Sequence, residues 1–144
     1  MAAQPGTLPT TLLLEVVTPE GLLLREEVDD VVAPGEQGCF GVRPGHTPFL
    51  STLGLGEISY GRGGERFHIT CFWGFCEVLA DRVNILAEIG ERAEDIDVGR
   101  AELALKHAED RMGLIKDEAG YQDAHLDYVR AVTRLAVAKK RRSS

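Results

Sequence analysis

Two hydrophobic patterns divide this chain near Glu91. From Leu12 to about Glu88, short runs rich in Val, Ile, Leu and Phe are separated by Gly, Pro and charged pairs, and no helical period is sustained. Runs of this kind predict strands, expected over 12–17, 26–33, 37–42, 48–53, 56–60, 65–71, 74–80 and 82–88. In the last of them Val83, Ile85 and Ala87 alternate with more polar neighbours and give one wholly apolar face. Gly61-Arg-Gly-Gly64 lies between two strand-like runs and reads as a hairpin turn; as a phosphate loop it fails, because no helix follows it. Many short strands at close spacing predict a sandwich or flattened barrel, which leaves few open edges.

Beyond Glu91 the chain turns to alanine, charged residues and a 3.6-residue period, without proline. Ala101, Ala104, Leu105, Ala108 and Met112 make a stripe that predicts a first helix over 97–112, with Asp95 or Asp97 as its N-cap. Tyr121, Ala124, Tyr128, Ala131, Leu135 and Ala138 recur at alternating steps of three and four, like a coiled-coil seam. Gly113 and Gly120 are expected to bracket the end of the first helix and the connection. The expected fold class is therefore α+β: an N-terminal antiparallel β-sandwich or flattened barrel over residues 1–90, then an antiparallel two-helix hairpin over 91–144. Alanine seams bury little apolar surface, and short helices are marginal in water alone. The hairpin must lean on the β domain or on a partner, and it exchanges between them if the two dockings differ by a few kcal/mol.

Charge sharpens this division. The net charge of −7 falls entirely on residues 1–90, where 12 acids face 5 Lys or Arg, while residues 91–144 carry 11 of each. After Asp127 every charged residue is basic: Arg130, Arg134, Lys139, Lys140, Arg141 and Arg142. Such a tip is either a solvated terminus or a dock for an acidic protein surface or a phosphate. The acidic first half argues against nucleic acid as a partner, since duplex binding needs a broad basic face. No run approaches the length of a membrane span, and Met1–Thr10 lacks the marks of a signal or transit peptide, so a cytoplasmic protein is expected.

Candidate chemistry is sparse. The three cysteines are an odd count, and Cys71 and Cys76, five apart in a strand, are expected on opposite faces as reduced core residues; no disulfide framework and no metal site is expected. Phe72 and Phe75 cannot share a face in a regular strand, so one of them is expected to be exposed and to contact a partner. His46 has no acidic partner at a recognisable spacing, and His68, His107 and His125 form no metal-ligand pair. Gly35, Gly38 and Gly41 are no dinucleotide fingerprint, because prolines stand where the helix should begin. A binding or coupling protein is expected over an enzyme. A small-molecule sensor or adaptor is the competing class.

The segment Gly38–Leu50, Gly-Cys-Phe-Gly-Val-Arg-Pro-Gly-His-Thr-Pro-Phe-Leu, is dense in glycine and proline and can only be a turn between short strands. It resembles the signature loop of the epsilon subunit family of F-type rotary ATP synthases. Glu15 to Gly21 resembles that family's opening strand and turn, Gly74-Phe-Cys-Glu-Val78 its Gly-Phe-x-Glu-Val strand, Val83–Glu88 its closing strand, and Glu91–Ala101 the entry to its helices. The resemblance runs from Leu14 to Leu135 and implies a β-sandwich clamped to the gamma subunit and resting on the membrane ring of c subunits. It also implies a two-helix arm that lies on the sandwich or extends into the catalytic head of alpha and beta subunits and blocks ATP hydrolysis. By this resemblance residues 36–48, with Gly38, Cys39, Arg43 and His46, contact the ring, and the protein sits on the cytoplasmic face of a bacterial inner membrane or, failing that, on a plastid thylakoid. No catalytic residue and no required cofactor is implied.

Some members bind ATP on the folded arm through an Ile/Leu-Asp-x-x-Arg-Ala motif and further arginines. Ile96, Asp97, Arg100 and Ala101 match it, and Arg130 and Arg134 stand at suitable positions on the second helix. The resemblance therefore implies ATP as a regulatory ligand. Two departures stand out: His107 replaces an arginine of the ATP-binding members, and Trp73 stands where the family has glycine.

Overall fold

The computed structural model describes residues 8–141, as seven strands followed by two helices. The strands are β1 Leu12–Thr18, β2 Gly21–Val28, β3 Asp30–Gly35, β4 Gly38–Val42, β5 Phe49–Arg62, β6 Glu65–Val78 and β7 Arg82–Arg92. They form one sheet in the order β2-β1-β7-β6-β5-β3-β4, antiparallel except where β1 runs parallel to β7. All seven strands send side chains into a single core that includes Leu14, Val28, Val31, Val42, Ile58, Cys71 and Ile85. A sheet can share one core among all its strands only by curling over itself, which is the expected sandwich. Each fully buried Leu, Ile or Val in it contributes about 1.5–3 kcal/mol relative to exposure.

Expected strand limits moved for identifiable reasons. The run 26–33 is split at Asp29, where the chain leaves the β1 ladder for β5: Val28 still pairs with Leu12, whereas Asp30 pairs with Gly61. The runs 48–53 and 56–60 are one strand, as are 65–71 and 74–80, because Gly54 and Trp73 interrupt the hydrophobic pattern without ending the ladder between β5 and β6. Between these strands Gly63 and Gly64, at φ +60° and +82°, make the expected tight hairpin turn. A β-bulge between Val16 and Val17 shifts the β1–β2 register, which obscures the alternation of Leu22, Leu23 and Leu24.

The largest correction concerns β6. Cys71 and Cys76 do not face opposite ways; both are fully buried in the same core. Residues five apart reach one side only if the pleat is broken between them. The break is Trp73, at φ +60°, beside Gly74, at φ +146°. For a residue with a side chain the left-handed backbone costs about 1–2 kcal/mol. The glycine that the resemblance implies at this position would adopt it freely. Burial pushes both thiols up to about 12, so they are protonated at neutral pH and inert as nucleophiles, while Cys39 is exposed. Phe72 and Phe75 both leave the core: Phe72 is fully buried beneath the second helix, and Phe75 is 56% exposed.

After β7 a single 3-10 turn, Ala93–Asp95, leads into α1 Val98–Leu114 and α2 Glu118–Ala138. Asp97 is the N-cap of α1, its carboxylate accepting from the Arg100 N–H at 3.0 Å. Asp117 caps α2 in the same way, accepting from the Gly120 N–H at 2.9 Å. Gly113 and Gly120 bracket the end of α1 and the connection, Ile115–Asp117, as expected, but they do so from within the terminal turns of the two helices. Ala101 and Ala108 meet Ala124 and Ala131 in the seam, where small side chains let the helices approach closely. Arg111 clips the pair by donating to Asp127 at 2.7 Å.

Candidate functional site

The hairpin rests on the sandwich through α2, and its seat is made of charge and aromatic rings more than of aliphatic surface. The apolar part is a small cluster of Ala93, Ile96, Val137 and Ala138. Along α2, Arg130 lies over the Trp73 ring at 4.8 Å and Arg134 over the Phe72 ring at 5.0 Å. Arg134 also donates to Glu91 Oε1 at 2.7 Å, and the Glu91 main-chain N–H donates to the buried Thr70 hydroxyl at 2.9 Å, which fixes Glu91 on β7. At the end of α2, Lys140 donates to both oxygens of Glu57, at 2.8 and 2.9 Å, and His68 Nδ1 lies 3.2 Å from the same carboxylate. Arg141 turns back to the carbonyls of Ala138 and Ile96. Lys140 and Arg141 of the basic tip thus dock on their own chain, while Arg142 lies outside the described residues.

Beside this seat is a cleft of about 350 Å³ lined by Glu91, Asp95, Ile96, Asp97, Arg100, Ala101, Ala104 and Arg134. The fold brings together five of the six residues singled out for nucleotide: Ile96, Asp97, Arg100, Ala101 and Arg134. Arg130 does not line the cleft; its guanidinium is over Trp73. The open first turn of α1 faces this space, and a helix N-terminus suits an anion. Against that, three carboxylates, Glu91, Asp95 and Asp97, outnumber the two arginines in the lining.

The residues singled out for the ring are not all together. Gly38 and Cys39 begin β4 at its turn with β3, and Arg43 and His46 follow its end, about 14 Å further along at the rise of an extended strand. Arg43 and His46 do share a second cleft, with Asp30 and Gly41. The loop is pinned by the Gly45 N–H donating to the Ala80 carbonyl at 2.7 Å, and the His46 ring donates to the Thr47 carbonyl at 2.6 Å.

A third surface carries no hairpin. Val17, Leu86, Phe75 and Thr52 are successive cross-strand partners on β1, β7, β6 and β5, and Leu86 and Phe75 are 57% and 56% exposed. They line an open groove of about 710 Å³ that also reaches Pro19, Leu53 and Trp73. Exposed apolar side chains directly opposite each other on a sheet mark a contact surface. The alternation at Phe75 points to it in the sequence, whereas Leu86, on the face of its strand opposite Val83, Ile85 and Ala87, carries no such local sign. Trp73, Phe72, Glu91 and Glu57 were not foreseen as the seat, since pairing between strand and helix across the domains leaves no local pattern.

A sandwich with a helical hairpin folded onto it, a bare apolar stripe on one face and a polar seat on another, defines a two-part binding subunit. The chain belongs to the ATP synthase delta/epsilon family: residues 11–93 match ATP synthase, Delta/Epsilon chain, beta-sandwich domain, and residues 94–139 match ATP synthase, Delta/Epsilon chain, long alpha-helix domain. It is 48% identical over 127 residues to the ATP synthase epsilon chain of Syntrophobacter fumaroxidans, covering 88% of this chain and 95% of that one. It is 45% identical over 137 residues to the epsilon chain of Solibacter usitatus, covering 93% and 100%. The fold is also that of a chain in the Euglena gracilis mitochondrial ATP synthase, an OSCP/F1/c-ring structure, with a TM-score of 0.80 at 22% identity over 94% of this chain and 86% of that one. A chain of the Tetrahymena thermophila mitochondrial ATP synthase central stalk and c-ring gives a TM-score of 0.59 at 13% identity, over 92% and 99%. Membership makes this a delta/epsilon-type chain of an ATP synthase. Among the described residues no helix is long and apolar enough to cross a membrane.

Proposed function

We infer that this chain is a noncatalytic rotor subunit that couples the proton-driven ring of c subunits to gamma, and that its hairpin is a brake on ATP hydrolysis. It works on the cytoplasmic face of a bacterial inner membrane, peripheral to it. The stripe of Leu86 and Phe75 seats gamma, the loop with Arg43 and His46 meets the ring, and the extended arm reaches alpha and beta. The observation that carries this reading is the division of labour in the fold: a sandwich closed around its own core, and an arm held to it mainly by Arg130, Arg134 and Lys140. Cation–π and partly exposed ionic contacts contribute about 0.5–2 kcal/mol each, so the arm can leave without unfolding the sandwich. Its basic end would meet acidic surface in the head as it meets Glu57 here.

The test is ATP hydrolysis by the assembled head carrying the full chain or a chain ending at Glu94, which keeps all of β7. Removal of the arm is expected to raise the rate about fivefold or more, the range of an ordinary coupling energy. An unchanged rate with normal assembly would confine the subunit to mechanical coupling.

ATP acts on this arm from the cleft beside α1, with the N-terminus of α1, Arg100 and Arg134 as its phosphate donors. Because three carboxylates share that cleft, binding is weak. Millimolar ATP is expected to raise the thermal midpoint of the full chain by a few degrees, and Arg134→Ala to abolish the rise. A midpoint indifferent to ATP removes the nucleotide from this reading.

A further inference from the structure

We propose that Trp73 and Arg130 form a latch that holds the hairpin on the sandwich without any ligand, and that the left-handed backbone at Trp73 is what makes it. Neighbours on a regular strand point to opposite faces, so Phe72 and Trp73 could not both meet one helix. With Trp73 at φ +60°, both rings lie on the side of α2. Arg130 and Arg134 are four apart on that helix and so share a face, and each guanidinium covers one of the two rings.

The two arginines are not equivalent. Arg134 has Glu91 as an ionic partner at 2.7 Å, whereas among the described residues Arg130 has an ion pair only with Asp127 of its own helix, at 3.6 Å, and its buried Nε has no hydrogen-bond partner there. The contact of Arg130 with the sandwich is therefore the indole face. Tryptophan is the ring that attracts a guanidinium most strongly, more so when both are partly desolvated. A left-handed residue with a large side chain persists only where something else is gained by it. Here that gain is the docked arm. The latch deepens the reading of the hairpin as a releasable arm and rests on that reading only in this respect.

Hydrogen exchange on the full chain, resolved by peptide, tests it. Trp73→Gly removes the ring and relieves the left-handed strain, so α2 amides are expected to exchange about tenfold faster while those of β6 and β7 exchange no faster than in the parent. Arg130→Gln should speed α2 by a similar factor and shift the emission of Trp73, the one tryptophan of the sequence. The double variant should be no faster in α2 than either single one, because both remove the same contact. If Trp73→Gly also loosens β6, Arg130→Gln decides. Unchanged α2 exchange in Arg130→Gln, or additive effects in the double variant, would overturn the latch. No step uses the assembled synthase, so failure here leaves the hydrolysis test standing, and an arm that is no brake can still be latched.

Discussion

Gly74→Ala is expected to cost the sandwich about 4 kcal/mol, a large share of the 5–15 kcal/mol by which domains are stable. An added Cβ at this position would lie 1.9 Å from the Leu86 carbonyl oxygen and 3.0 Å from the Ala87 Cα, and the residue has φ +146°. Neither obstacle can move alone. Leu86 and Ala87 are held in the β6–β7 ladder opposite Phe75 and Gly74, so relief of the clash means opening the ladder at its centre. Urea unfolding should show a lower midpoint with an unchanged slope. A loss below about 1 kcal/mol would mean that the ladder yields there. The neighbouring Trp73→Gly has the opposite expected sign for the sandwich, since it removes strain and introduces none. Two adjacent substitutions, glycine lost and glycine gained, therefore report on the same kink from both directions.

Phe75→Asp should leave the chain folded and remove it from its partner. The ring is more than half exposed and outside the core, so the fold loses little. At the centre of an apolar interface the same change buries an unpaired carboxylate and deletes an aromatic anchor, which costs upward of about 3 kcal/mol, or more than a hundredfold in affinity. Titration of purified gamma with the variant measures this. Leu103→Asp, on the outer face of α1 at a site 65% exposed, is the control and should bind as the parent does. Parent-like affinity of Phe75→Asp would place gamma somewhere other than the stripe through Leu86.

Local signals carried much of this fold. The turn at Gly63-Gly64, the alanine seams and the Asp97 cap depend on neighbours within one turn or one hairpin, and each was visible as a short pattern. Asp117 carries a comparable signal three residues before Gly120, and its cap commits the chain to helix ahead of that glycine. The kink in β6 was not legible, because no local rule assigns φ +60° to tryptophan; only the close approach of the Gly74 backbone to Leu86 and the helix above account for it. The motif around Ile96 and Asp97 accounts for four lining residues of the cleft and Arg134 on α2 is a fifth, whereas the carboxylates opposing them come partly from β7, across a domain boundary. Arg130 shows the same limit: its spacing from Arg134 was plain, and what lay under it was not.

The parallel pairing of β1 with β7 sets when this molecule can close during synthesis. Leu13 and Val17 find Arg82 and Leu86 only after the whole intervening meander has been made. Until then the opening hairpin of β1 and β2 has an apolar face without a lid, and such long-range closure is intrinsically slow. β7 ends at Arg92, before the first residue of α1, so every strand leaves the ribosome before the helices do. A sandwich that closes in that interval displays Phe72 and Trp73 bare, since the side chains that cover them belong to α2. Any factor that occupies those rings at the ribosome competes with the arm before the arm has emerged.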